Sequence, residues 1–179
     1  MQILPFIQQD PLLQGNHVNP VLVLGLGNIL LQDEGIGVRV VQKLQHDFLM
    51  PAQVEVLDGG TAGMALYEHV IDRTHLIVID AVKTGRPPGS IIILEDEEVP
   101  AFFHNKISPH QLALSDILAA LLIEGKPLPE ITLIGIEPVR LKTGIDLSEC
   151  VLAKLDLLIE MTVDYLSEIG FEAKPRTIH

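Results

Sequence analysis

The sequence predicts an α/β fold: a three-layer sandwich in which helices cover both faces of a five-stranded, mostly parallel, twisted sheet with one antiparallel strand. Three observations predict it. Short apolar runs, V-L-V-L-G at 21–25, V-E-V-L-D at 54–58 and L-I-V-I-D at 76–80, are separated by helical segments, the alternation that builds a parallel sheet covered on both sides. A further run, S-I-I-I-L at 90–94, follows the third after only the turn G-R-P-P-G at 85–89. A parallel crossover needs a dozen or more residues, so this run must be antiparallel to the third. Finally, 179 residues with 47% hydrophobic content suit one domain with a sizeable core.

Each element has its own warrant. Residues 1–19 show no period and read as an N-terminal extension to a single domain over 20–179. After the first strand, Asp33 or a neighbour can cap a helix running to about Phe48, with Ile36, Val40 and Leu44 on one face. The second strand ends in Gly59 and Gly60, and a short helix follows at about 62–70. S-P-H-Q at 108–111 is a capping box, with Ser108 as N-cap, Pro109 at N1 and Gln111 at N3. The helix it opens has Leu114, Ile117, Leu118 and Leu121 as its apolar face, and Gly125 and Pro127 stop it. I-T-L-I-G-I at 131–136 is the fifth strand. The last helix is expected from near Asp146 to Gly170.

Composition excludes several classes. A net charge of −12 argues against nucleic acid and against anionic membrane surfaces. The single cysteine, Cys150, permits no internal disulfide and fits a reduced, cytoplasmic setting. It reads as a small buried hydrophobe rather than a nucleophile. The start of the chain lacks the basic region and cleavage pattern of a signal peptide. The uncharged stretch 11–32 contains Pro20 and several Asn, Gln and Gly, and so does not read as a membrane span.

L-G-L-G-N-I-L-L-Q-D-E-G-I-G at 24–37 looks like a dinucleotide loop but fails as one. Gly25 and Gly27 supply two glycines of the fingerprint, whereas position 30 is Leu. Asp33 and Glu34 would also repel a pyrophosphate at the helix start, by about 4 kcal/mol per unit pair at ~4 Å and an effective dielectric near 20.

Acids gather instead where strands end. Asn28, Asp33 and Glu34 follow the first strand, Asp58 closes the second, Asp80 the third, and Glu137 follows the fifth. In an open α/β sheet these ends line the ligand crevice. Several acids aimed at one crevice repel unless a cation joins them or some stay protonated. His110, at N2 of its helix, stands near the positive dipole end, which favours the neutral imidazole that ligates metals. Carboxylate plus imidazole without thiolate suits a borderline divalent ion such as nickel or zinc. Glu34, Asp80 and His110 are therefore the candidate ligands. Asp33 reads more readily as a helix cap, and Asp58 also as a turn-binding side chain. Asp80, directly after L-I-V-I, should be partly buried and need a partner. His17, His46, His69, His75, His104 and His179 read as core or surface residues.

These residues also resemble a known family. The chain over 21–170 is similar to the endopeptidases that mature nickel–iron hydrogenases. The likeness rests on G-L-G-N-I-L-L-Q-D-E-G-I-G, D-G-G-T-A-G-M at 58–64, I-D-A at 79–81 and N-K-I-S-P-H-Q at 105–111. The last two motifs look most like the uptake-type branch. The resemblance implies an enzyme that removes a short C-terminal extension from the precursor of the hydrogenase large subunit once nickel is in place. Cleavage would follow a His or Arg shortly after the last C-x-x-C motif of that precursor. It also implies that nickel belongs to the substrate, with other divalent metals able to take the same donors, and that the metal-contacting acid, acid and histidine are Glu34, Asp80 and His110.

On this reading Asp58 and the Gly59–Gly60 backbone position the substrate tail or assist proton transfer, and Gly35 and Gly37 keep the first helical turn clear for a large partner. The expected partner is the precursor, with neither nucleic acid nor membrane, and the expected state is a monomer. The rival reading is a nickel-binding maturation chaperone without peptidase activity.

Overall fold

The computed structural model describes the backbone of residues 20–104 and 109–177, and the side chains of all of these except 103, 104 and 109–112. Its main sheet contains β1 (Val21–Leu26), β3 (Val54–Gly60), β4 (His75–Ala81), β5 (Ile91–Glu95) and β6 (Glu130–Ile136), in the order β3-β1-β4-β6-β5. The β1–β3, β1–β4 and β4–β6 pairs are parallel, and β5–β6 is antiparallel. The expected sheet is thus present, and β5 runs opposite to β4 as the short 82–90 link requires. β6 lies between these two strands, reached through α3 (Glu98–His104) and α4 (Pro109–Ile123). Two elements were not legible in the sequence: α3 itself, and a small antiparallel pair of β2 (Phe48–Leu49) with β7 (Lys174–Pro175).

Side-chain alternation divides the core into two layers. Leu22, Leu24, Leu76 and Val78 meet Leu114, Ile117, Leu118 and Leu121 of α4 on one face. These are the four apolar positions expected of that helix. On the other face Val21, Val23, Ile77 and Ile79 meet Ile36, Val40 and Leu44 of α1 (Ile36–Asp47), again as expected, and Leu158 and Leu166 of α6 (Leu155–Glu168). All six residues of β1 are buried, as both-sided cover demands. Each such aliphatic side chain contributes about 1.5–3 kcal/mol.

Several helix ends differ from expectation. α1 begins at Ile36, after a 3-10 turn at Gln32–Gly35, and its N-cap is Gly35 with no side-chain cap bond. Asp33 is therefore not its cap. The last helix is two pieces, α5 (Glu149–Leu152) and α6, and it starts after Ser148 rather than near Asp146. Gly170, at φ 91°, ends it in the left-handed conformation expected there. Cys150 is exposed at the start of α5, where its thiol donates to Pro88 O at 3.4 Å, so it is not the buried hydrophobe expected. The short helical segment expected at 62–70 is a 3-10 turn at Gly63–Leu66 followed by α2 (Tyr67–Val70). Ser108 lies outside the described residues. Among the described residues, no helix is long and apolar enough to cross a membrane.

Candidate active site

The strand order reverses between β1 and β4, whose neighbours β3 and β6 lie on opposite sides. Ligand crevices form at such switch points, beyond the carboxyl ends of the strands. Glycines let the chain fold tightly there. Gly27 has φ 122°, and a Cβ on it would fall 1.7 Å from Glu34 O. Asn28 closes the next turn, accepting the Leu30 N–H at 2.9 Å. The loop thus doubles back and holds Glu34 over the end of β1, in a turn that packs against β4. A Cβ on Gly37 would lie 2.1 Å from Ile79 O and 2.4 Å from Leu26 O, and one on Gly35 would lie 2.8 Å from Ile29 Cα. These two glycines let α1 press on the chain's own backbone. They are buried, and the expectation that they clear space for a partner is corrected by that packing.

Asp80, at the end of β4, is 0% exposed. It points to the face covered by α4, since its neighbours in register and alternation, Gly135, Val78 and Val82, all belong to that face. Among the described residues no buried side-chain nitrogen or oxygen lacks a hydrogen-bond partner, so the carboxylate is engaged, as burial of a charge demands. Position 110 stands one turn before Leu114 in α4, the helix laid over this face. The side chain of His110 lies outside the described residues. Among the described residues alone, no group of three His, Cys, Asp or Glu could hold a metal.

The other acids are used differently. Asp33 is 0% exposed. Its Oδ1 accepts the Ser148 N–H at 2.7 Å; its Oδ2 accepts the Val139 N–H at 2.9 Å, the Arg140 N–H at 3.1 Å and the Ser148 hydroxyl at 2.9 Å. It is a staple between two loops, and neither a cap nor an open ligand. Asp58 pairs in register with Gly25, whose missing Cβ would meet Gly37 and Val41 of α1. Its exposed carboxylate accepts from Gln42 Nε2 at 3.1 Å. It therefore lies on the opposite face of the sheet from Asp80. Gly59 is the extra residue of a bulge, where a Cβ would lie 2.6 Å from Leu24 Cδ1. The Gly60 carbonyl accepts the Gly27 N–H at 3.0 Å. Packing accounts for Gly59, and a left-handed backbone at φ 46° for Gly60.

Glu137 is buried and accepts both the N–H and the hydroxyl of Thr84 at 2.6 Å. Burial pushes its carboxyl up, but bonds from Thr84, Gly85 and Arg86 outweigh that and hold it below its ordinary 4.5. A lowered folded pKa adds stability above the unfolded value, and that stability is lost as pH falls through the folded one. The stability difference between wild type and Glu137→Gln, about 2 kcal/mol for bonds to a charged acceptor, should hold above pH 4.5 and shrink below it. A difference in urea midpoints that stays flat across that range would contradict this assignment.

The carboxyl ends thus present Glu34 and Asp80 at the switch point, with the start of α4 on Asp80's side. The family model described as hydrogenase maturation protease matches residues 38–165, well over half of the chain. The chain belongs to the hydrogenase maturation proteases.

Among these proteases, the hydrogenase 2 maturation protease of Escherichia coli K12 is 49% identical over 157 residues, 87% of this chain and 96% of its own. The hydrogenase expression/formation protein HupD of Thiocapsa roseopersicina is 40% identical over 158 residues, 87% of this chain and 72% of its own. The latter likeness agrees with the uptake-type branch. In structure, the maturating endopeptidase HybD of Escherichia coli superposes with a TM-score of 0.84, covering 87% of this chain and 97% of that one. The maturation protease HybD of Thermococcus kodakarensis, 29% identical, gives 0.67 over 81% and 97%. Like these maturation proteases, the protein is a peptide-bond hydrolase that acts in hydrogenase processing, and its sheet and surrounding helices are theirs.

Proposed function

We propose that the protein removes the C-terminal extension from the large-subunit precursor of a nickel–iron hydrogenase, and recognises the nickel already carried by that substrate through Glu34, Asp80 and His110. One observation carries this choice of residues. Glu34 is held over the end of β1 and Asp80 ends β4, the two strands that flank the switch point, and α4 carries position 110 along the face to which Asp80 points.

Two carboxylates and an imidazole fit a borderline divalent ion and leave positions for the substrate's own ligands. When the precursor is bound, its nickel supplies Lewis-acid polarisation near the bond to be cut. The chain's own part is to orient. Glu34 is fixed by the Gly27 fold-back, and Asp80 by burial at the end of β4. Positioning of this kind is itself a large catalytic contribution. The enzyme works as a cytoplasmic monomer, a setting that suits one free cysteine.

The test is a processing assay with cognate precursor, nickel-loaded and nickel-free, followed by intact mass. Loss of the extension from the loaded form alone is the expected result. Cleavage of both forms would keep the peptidase and move metal recognition elsewhere. Cleavage of neither would return the chaperone reading.

A further inference from the structure

Two buried carboxylates lace three loops into one surface at the carboxyl edge of the sheet. Asp33 ties the 28–34 loop to the 139–148 loop, and backbone bonds of Leu30 and Gln32 with Gly144 reinforce the tie. Glu137 ties in the 84–86 loop. A surface so held is preorganised, which lowers the cost of binding to it.

What the surface presents is apolar at its centre and basic at its rim. Leu30, Val139 and Ile145 are 58%, 46% and 60% exposed, although they are large aliphatic residues. Arg140 and Lys142 stand exposed among them, and Lys83 and Arg86 stand exposed on the third loop. None of these four takes part in the ion pairs formed by the described residues. Four of the 12 Lys and Arg in a chain of net charge −12 thus stand on two of the tied loops, Arg140 and Lys142 on the one bonded to the Glu34 turn, against one exposed acid on that loop, Asp146. Exposed apolar clusters with polar borders mark interaction sites.

We propose that this three-loop surface docks the body of the precursor, and that the precursor meets it with an apolar patch bordered by carboxylates. The proposal rests on the processing reading above. A second copy of this chain is a poor occupant, because a two-fold contact would set the basic rim against itself. In the assigned complex the aliphatic centre supplies the buried anchor. The basic rim steers association and makes it salt-dependent.

The experiment measures Kd, KM and kcat with nickel-loaded precursor at low and high salt, for wild type, Arg140→Glu/Lys142→Glu and Leu30→Ser/Ile145→Ser. Unchanged thermal unfolding certifies the fold of each variant. Both variants are expected to raise Kd and KM about tenfold or more with kcat kept, and the charge variant is expected to lose most of the salt dependence. Wild-type Kd and salt dependence in both folded variants would overturn the proposal, as would a wild-type dimer that either variant dissociates. A precursor that binds wild type with the predicted variant effects but is never cut would overturn the processing reading alone. A loaded precursor that does not bind wild type at all would overturn both.

Discussion

Asp80→Asn is expected to reduce precursor processing by at least about a hundredfold, because a neutral amide replaces a charged metal contact and even the partners of such contacts cost about 10–100-fold when changed. The side chain is 0% exposed at the end of the strand beside the switch point, so nothing in solvent can substitute for its charge. The amide keeps the shape and removes the charge. A carboxylate needed only for packing would lose some stability and keep its activity. Glu34→Gln is the complementary variant, since Glu34 is only half-buried. It should lose processing to a similar degree with thermal unfolding unchanged. Intact-mass assays on both, with unfolding followed in parallel, check the pair. Full processing by a folded Asp80→Asn enzyme would remove the metal-recognition role.

Asp33→Ala should be the more damaging change to the fold. A helix cap would cost about 1 kcal/mol when removed. Asp33 instead accepts four hydrogen bonds while 0% exposed. Its loss strands three backbone N–H groups and a hydroxyl, and at about 1–3 kcal/mol for each buried donor that stays unsatisfied the expected total is about 3–5 kcal/mol. For a domain of this size that is a fall in Tm of roughly 6–20 °C. Calorimetry at neutral pH measures it. A shift of only about 2–4 °C, the equivalent of 1 kcal/mol, would mean that the staple is dispensable.

The two neighbours Asp33 and Glu34 show where one-dimensional reading stops. Both follow the same strand, and both are carboxylates at a helix start. Their roles separate because the 3-10 turn sends Asp33 into a loop more than 100 residues away in sequence, the separations being 106, 107 and 115. No local pattern encodes such a partner. Asp58 and Asp80 divide for another reason. Each ends an apolar run, but strand alternation and the register with β1 put them on opposite faces of the sheet. The glycines at 35 and 37 look like open space in sequence and prove to be contact points, because Gly35 lies against the Ile29 backbone and Gly37 against the β1 and β4 carbonyls, where no Cβ fits.

By itself the sequence determined the five strands, the direction of β5, and the faces that α1 and α4 bury. These depend on periods of 2 and about 3.6 residues and on link lengths, all local quantities. It also placed the acids at strand ends and, through its motifs, the family. The tertiary structure alone decided which loops Asp33 and Glu137 tie, that Asp58 and Asp80 occupy opposite faces, and that two buried acids build a rigid rim. Those outcomes depend on hydrogen bonds and packing between segments far apart in the chain, which exist only once the sheet has assembled.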